Sequence, residues 1–472
     1  MLMSEPLPFV KAYVAELDAA LRAHGPSARG LSVLQQRWLS FCLMAMMVTN
    51  SLCWRRFERA GLGRYSQAAL SWVFCHAKLP WEVLLQHSVW MILRRHGIGS
   101  GSLVLDDTDK RRSKVTRRIA RVHKLKDKTS GGFLMGQCLV FLLLVSERIT
   151  VPVGVAFYEP DPVRRAWVKQ DKKLKQQGMA KSQRPPEPPR NPAYPTKPEL
   201  GLGLLEQFRQ WQPTVTVQCV LADALYGTAA FMDPAGAVFD GVQVISQLRG
   251  NQKVRFCNRS LSLAQYFDRY AGVVQSYRRR GGQPMTVWVT SARLFVEAHG
   301  KKRFVIALKY EGESEYRYLV ASDLTWRTED IVQAFTLRWL VEVFIQDWKG
   351  YEGWGALTKQ PGEEGSSRGL ILSLLVDHCL LLHPAQLAQL NHRQPAFTVG
   401  SLINRIKVDS LLEVFRGILA TADPAGQLQQ LSDTLAECFD LRPSEKHLVG
   451  RDLGRLAPSP SLKYKAAAAT RL

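Results

Sequence analysis

Nowhere in this chain do two cysteines form a C-x-x-C pair. Its eight cysteines (42, 53, 75, 138, 219, 257, 379 and 438) are scattered singly. That spacing excludes the common structural zinc patterns and a disulfide framework, and it fits a reducing, cytoplasmic interior. Long apolar runs are missing too. The longest, "FLMGQCLVFLLLV" at 133–145, falls well short of the ~20 residues that a membrane-spanning helix needs, and it suits a buried strand. The opening "MLMSEPLPFVKAYVAELDAAL" lacks the basic-then-apolar order of a secretory signal. Acids are scarce beside bases: 41 Asp and Glu face 63 Lys and Arg, a net charge of +22. The expected partner is therefore a polyanion, because lysines and arginines that neutralise phosphates release condensed counterions. With no membrane segment, that polyanion is nucleic acid. No internal repeat is found.

What is present divides into regions. With 472 residues, 46% of them hydrophobic, the chain is long enough for several packed units. Residues 1–98 carry helical apolar spacing in "VLQQRWLSFCLMAMM", "YSQAALSWVFCHAKL" and "PWEVLLQHSVWMILRRH", and read as a helical domain, either a DNA-binding unit or a scaffold without base contacts. The pattern then turns to strands: "GSLVLDDTD", "FLMGQCLVFLLLV" and "RITVPVGVAFYE". A basic, proline-rich stretch at 161–198 is read as a stiff surface linker without regular helix. A helix at 199–211 and strands at 214–223 and 242–249 complete the first part of a core, 99–249. This order predicts an RNase H-like α/β catalytic core, three antiparallel strands extended by parallel ones. Residues 250–325 read as a β-rich insertion, 326–364 as the helix that returns to the core, and 365–472 as a helical C-terminal region. In that region His378, beside Cys379, reads as a helix core position. For the returning helix, Thr328 is the expected N-cap and Gly350 the end.

Three acids stand where this core would gather them. Asp106 or Asp107 ends the first strand, the doublet leaving the choice open, and Asp223 ends the fourth. In such a sheet those strands are neighbours. In "FTLRWLVEVFIQDWK" (335–349), steps of 100° put Arg338, Glu342, Ile345 and Lys349 within an arc of about 80°, with Leu337, Leu340, Phe344 and Trp348 behind. A helix with an apolar back would present Glu342 to the two aspartates. Converging carboxylates repel one another unless a cation joins them. Two Mg²⁺ ions, with Mn²⁺ able to substitute, are therefore expected on Asp106, Asp223 and Glu342, as in two-metal phosphodiester chemistry.

These residues resemble the DDE transposases of bacterial insertion sequences, in particular the family named insertion sequence four. Its Tyr-Arg-Glu-Lys spacing is matched by Phe335, Arg338, Glu342 and Lys349, with phenylalanine in the tyrosine position. "LVLDDTD" is similar to the family's first-aspartate strand, Asp-x-Thr, which selects Asp106; "ADALYGTAAFM" is similar to the second, with Asp223. The resemblance, over about 100–385, implies an enzyme that cuts transposon ends bearing terminal inverted repeats and joins their 3′-hydroxyls to target DNA. It also implies a homodimer in a synaptic complex, for which the C-terminal helices are the expected interface. Arg338 and Lys349 would grip phosphates. The group's β-rich insertion goes with a hairpin intermediate, and Tyr318 falls where an aromatic holds a flipped base, with Trp288 or Trp326 as alternatives. The run "DKRRSKVTRRIARVHKLKDK" (109–128) has ten Lys or Arg against two Asp. Its Lys110, Arg111, Arg112, Arg117, Arg118 and Arg121 are expected on DNA. The alternatives are an RNase H-like nuclease without strand transfer and a non-catalytic DNA-binding derivative.

Overall fold

The structure is a computed structural model that describes residues 2–23, 30–112, 119–127, 130–270, 272–278, 284–356, 362–391 and 398–439. Helices α1 (Pro8–Arg22), α2 (Val33–Thr49), α3 (Trp54–Ala60), α4 (Gln67–His76) and α5 (Trp81–His96) come first. Two of them start where short polar side chains cap free N–H groups: Ser32 with Gln35 forms a capping box, and Ser66 accepts from Ala69. Strands β1 (Ser100–Arg111), β2 (His123–Lys126), β3 (Phe133–Val145) and β4 (Thr150–Tyr158) follow. Then come α6 (Pro162–Gln176), α7 (Lys197–Trp211), β5 (Thr216–Ala222), α8 (Ala229–Val238) and β6 (Gln243–Leu248).

Among the described residues these strands belong to one sheet. β3 pairs antiparallel with β1 along one edge, and with β2 and then β4 along the other. β1 and β5 run parallel, as do β5 and β6. Leaving aside the short β2, the order β4-β3-β1-β5-β6, with three antiparallel strands continued by parallel ones, is the RNase H-like arrangement. β3 reads as one apolar run because helices cover both of its faces; Cys138 to Leu144 are all inaccessible to solvent.

The sheet does not stop at β6. Strands β7 (Lys253–Phe256) and β8 (Arg259–Ser262), helix α9 (Leu263–Arg269), and strands β9 (Val273–Arg278), β10 (Pro284–Val296), β11 (Lys301–Tyr310) and β12 (Arg317–Ala321) follow. β12 lies antiparallel against β6, so the β-rich segment extends the core sheet instead of forming one of its own.

Helices α10 (Thr328–Thr336), α11 (Trp339–Tyr351), α12 (Gly362–Leu381), α13 (Pro384–Asn391), α14 (Val399–Leu419) and α15 (Pro424–Cys438) complete the described chain. The expected single helix from Thr328 to Gly350 is broken by a turn at Leu337 and Arg338, and it ends at Tyr351. Arg327, extended at φ −74° and ψ 151°, is the N-cap, and Thr328 is the first helical residue. A second expectation also changes. The 161–198 stretch contains the fifteen-residue α6. Asp161 Oδ1 accepts the Val163 and Arg164 N–H groups at 2.8 and 3.3 Å, and Pro162 sits where a missing N–H costs nothing. The dense prolines begin only after it, at Pro185.

His378 is a buried core residue, in keeping with its place in the sequence. Its Nδ1 meets Ser88 Oγ at 2.7 Å, its Nε2 meets the Pro152 carbonyl at 2.9 Å, and Ser88 meets Tyr13 Oη at 2.6 Å. Burial lowers its pKa to about 4, which keeps the ring neutral.

Candidate active site at the carboxyl ends of β1 and β5

Successive side chains of a strand point to opposite faces, and on β1 this alternation sorts the chemistry. Leu103 and Leu105 enter the core that contains Leu204, Leu205 and Phe208 of α7; Val104 enters the one that contains Val341, Phe344 and Trp348 of α11. Continuing the count, even-numbered positions turn toward α11 and odd-numbered ones toward α7. The hydrogen bonds agree. Arg338 Nη1 donates to Asp106 Oδ2 at 3.0 Å. Lys349 Nζ donates to Thr108 Oγ1 at 2.5 Å and to the Asp109 carbonyl at 2.8 Å. On the other face Lys197, the first residue of α7, donates to Asp107 Oδ2 at 2.6 Å.

β5 ends at Ala222, and Asp223 opens the short 3₁₀ turn Ala224–Tyr226, its Oδ1 accepting the Leu225 N–H at 2.9 Å. Ser246 Oγ on β6 donates to the Asp223 carbonyl at 2.6 Å, which ties the turn to the sheet. Gly227 comes next because a Cβ there would lie 2.2 Å from the Gln247 carbonyl. Since β1 and β5 are parallel neighbours, their carboxyl ends share one edge. Carboxylate oxygens of Asp106, Asp107 and Asp223 come within 4.8 Å of one another there. Glu342 lies outside that group and is joined to it by Arg338, whose Nη2 also pairs with the Glu342 carboxylate.

Burial pushes Asp106 up to about 6; the charges of Asp223 and Asp107 act in the same direction, while the Asp107 N–H and Arg338 oppose them. Burial also raises Asp223, and the charge of Asp107 adds to it. Converging carboxylate oxygens, two of them on acids that burial holds up, suit a hard divalent cation, which would relieve their repulsion. The donor set therefore fits such an ion. A second group, Asp107, Asp109 and Cys138, also lies within 4.8 Å. It fits less well: burial pushes the Cys138 thiol up to about 12, and the Lys197 ammonium already sits on Asp107.

The other expected site residues are spread around this edge. Phe335 is partly buried, with the Arg338 guanidinium 5.9 Å from its ring centre. Tyr318 is half-buried on β12, stacked on Phe267 at 5.8 Å. It shares with Arg338 a cleft of about 740 Å³ that Gln247, Gly250 and Tyr316 also line. Lys110 donates to the Gly355 carbonyl, and burial, with Arg112 and Lys349 nearby, lowers its pKa to about 8. Arg111 is exposed at the end of β1. Arg112 turns inward instead: only 9% exposed, it donates to Gln137 Oε1 at 2.8 Å and stands 5.2 Å over the Trp354 ring. It follows the last residue of β1, still hydrogen-bonded to Met135 of β3, and keeps the even parity that faces α11. Arg121 pairs with Glu363 and lies 5.5 Å over Phe157. Arg117 and Arg118 lie outside the described residues. Lys197 was not anticipated; its only sequence signal is the "TKPEL" helix start, which says nothing about Asp107.

The family profile described as DDE superfamily endonuclease matches residues 35–303, more than half of the chain. The chain belongs to that family. The match includes Asp106 and Asp223 and ends before the helix that carries Glu342. No curated protein matches the chain. Among solved structures, Endonuclease V of Ciona intestinalis, in complex with a 24mer DNA containing an inosine followed by a ribo-adenosine, matches at 10% identity. It covers 51% of this chain and 81% of its own at a TM-score of 0.22, a superposition too loose to bear on fold or function.

Proposed function

We propose that this DDE superfamily endonuclease is a transposase of the insertion sequence four type. It binds the ends of a mobile element, cuts them and transfers the 3′-hydroxyls into target DNA. The observation that carries this reading is the pairing of two elements. The β1–β5 edge supplies Asp106 and Asp223, and the facing helix brings Arg338, Glu342 and Lys349 at the spacing of the Tyr-Arg-Glu-Lys signature. Asp106 is the ligand of the doublet because it shares the α11 face with Glu342, whereas Lys197 holds Asp107 from the α7 face.

Asp106, Asp223 and Glu342 would hold Mg²⁺, which supplies Lewis-acid activation of the attacking and leaving oxygens. The chain's own groups do the rest. Arg338, now shared between two carboxylates, is placed to take a phosphate oxygen beside the scissile bond. Lys349 is fastened to β1 through Thr108 and the Asp109 carbonyl, so it serves first to hold α11 at the right height and second as a positive charge near the backbone. Tyr318, sharing the Arg338 cleft, is the aromatic best placed to stack on an unpaired base. A synaptic homodimer is supported by α14, where Val408, Leu412, Phe415 and Leu419 are 49%, 43%, 44% and 72% exposed and fall on one helix face.

The test is incubation with the DNA flanking the gene, Mg²⁺ and a target plasmid. Cleaved ends and joined products are expected from the wild type, and Glu342→Gln should abolish both. Cleavage without joining would reduce the reading to a nuclease; full activity in the variant would remove Glu342 from the site.

A further inference from the structure

Helix α6 buries none of its residues. An exposed helix of that length gains little from packing, so what it presents to solvent matters. It carries Arg164, Arg165, Lys169, Lys172, Lys173 and Lys175 against one acid, Asp171. The cations are not spread evenly. Steps of 100° place Arg165, Lys169, Lys172 and Lys173 within an arc of about 100°. The opposite side holds Trp167, Asp171 and Leu174, the half-buried positions of the helix. That side is fastened to the returning chain. Trp167 Nε1 donates to the Pro185 carbonyl at 2.9 Å, Arg184 pairs with Asp171 at 2.7 Å, and Arg164 pairs with Glu187 at 2.6 Å. The one acid is thus turned away, and an unbroken cationic face remains.

Both feet of this arm stand at the candidate active site. It leaves from Tyr158 at the end of β4, which pairs with Cys138, itself paired with Asp109. It returns at Lys197, on Asp107. Arg165 Nη2 donates to the Lys124 carbonyl at 3.1 Å, which sets the cationic face beside β2, where Lys124 and Lys126 are exposed. Fifteen residues of helix are about 22 Å long, the span of roughly six base pairs.

We propose that α6 is a duplex-DNA platform: its Arg165–Lys173 face lies along the phosphate backbone of the DNA beside the cleavage point. The inference rests on the nuclease reading and adds a binding surface to it. Specificity is not expected from it, because lysines on phosphates carry no base information.

The experiment measures anisotropy of a labelled duplex of ~40 base pairs and arbitrary sequence, titrated with full-length protein at several salt concentrations without divalent metal. Lys169→Gln/Lys172→Gln/Lys173→Gln should flatten the slope of log affinity against log salt by roughly 2–3, about 0.9 for each phosphate that is no longer neutralised. Its melting temperature should not change. A control, Arg94→Gln/Arg95→Gln/Arg209→Gln, removes the same charge at the other end of the sheet and should shift the slope by less than one. Equal slopes for both triples, or no change in the α6 triple, overturn the platform while leaving the nuclease reading intact. Failure of the wild type to bind duplex DNA at any salt overturns both.

Discussion

At the residue scale, strand parity turns two adjacent aspartates to opposite faces, and the helices packed on those faces give each its partner. Asp106 faces Arg338 and Asp107 faces Lys197, 3.0 and 2.6 Å from their partners. Because burial and neighbouring charge hold Asp106 up to about 6, a proton competes with a cation for it below that pH. Mn²⁺ affinity, followed by paramagnetic resonance or calorimetry, should therefore fall about tenfold per pH unit below 6, for a single competing proton. Asp106→Asn should nearly abolish binding and weaken the pH dependence of the remainder, which Asp223 still carries. Asp107→Asn should keep most of it; a reversed order between the two variants would assign the ligand to Asp107.

At the element scale, α11 is anchored from below as well as from its polar front. Trp348 stacks on Trp354 with centroids 5.0 Å apart and donates to Ser373 at 3.0 Å. Between them the chain turns at Gly353, at φ +88°, where a Cβ would meet Met46 Cε at 2.8 Å. Beside that turn lies Glu352, fully buried next to Asp377 of α12. Burial pushes both acids up, Asp377 to about 8. The folded chain therefore keeps protons that the unfolded chain releases above about pH 4, so this pair costs stability as pH rises toward 8. Asp377→Asn cannot ionise. Its melting temperature should exceed that of the wild type by about 2 °C or more at pH 8, and the gap should narrow markedly at pH 5. A gap that widens on acidification would mean the pair is ionised in the fold.

At the scale of the whole molecule, one sheet carries both the candidate active-site edge and the β-rich segment. The Tyr318–Arg338 cleft therefore lies between two parts that share hydrogen-bonded strands, β6 and β12. Tyr318 and the Asp106–Asp223 edge are thereby tied together through hydrogen-bonded strands. Association belongs to this scale too. Leu412→Glu/Phe415→Glu places charge on the exposed α14 stripe. Light scattering should show the wild type at twice the monomer mass and the variant at the monomer mass, with unchanged melting. Identical masses for the two would move the interface elsewhere.

By itself the sequence determined what local pattern can encode. Alternation and apolar runs marked β1, β3, β4, β5 and β6, and their order was enough for the RNase H-like core. Composition pointed to a polyanionic partner, and the spacing of Arg338, Glu342 and Lys349 marked one helix face. Helix α6 escapes a reading by proline density, because its fifteen residues hold only one proline, at a position helices accept. Only the tertiary structure decided which aspartate faces α11, that Lys197 reaches Asp107 from 90 residues away, and that Arg112 points into the core. Those outcomes depend on which helix packs on which face of the sheet. That is a sum of many weak nonlocal attractions, and no short window of residues contains it.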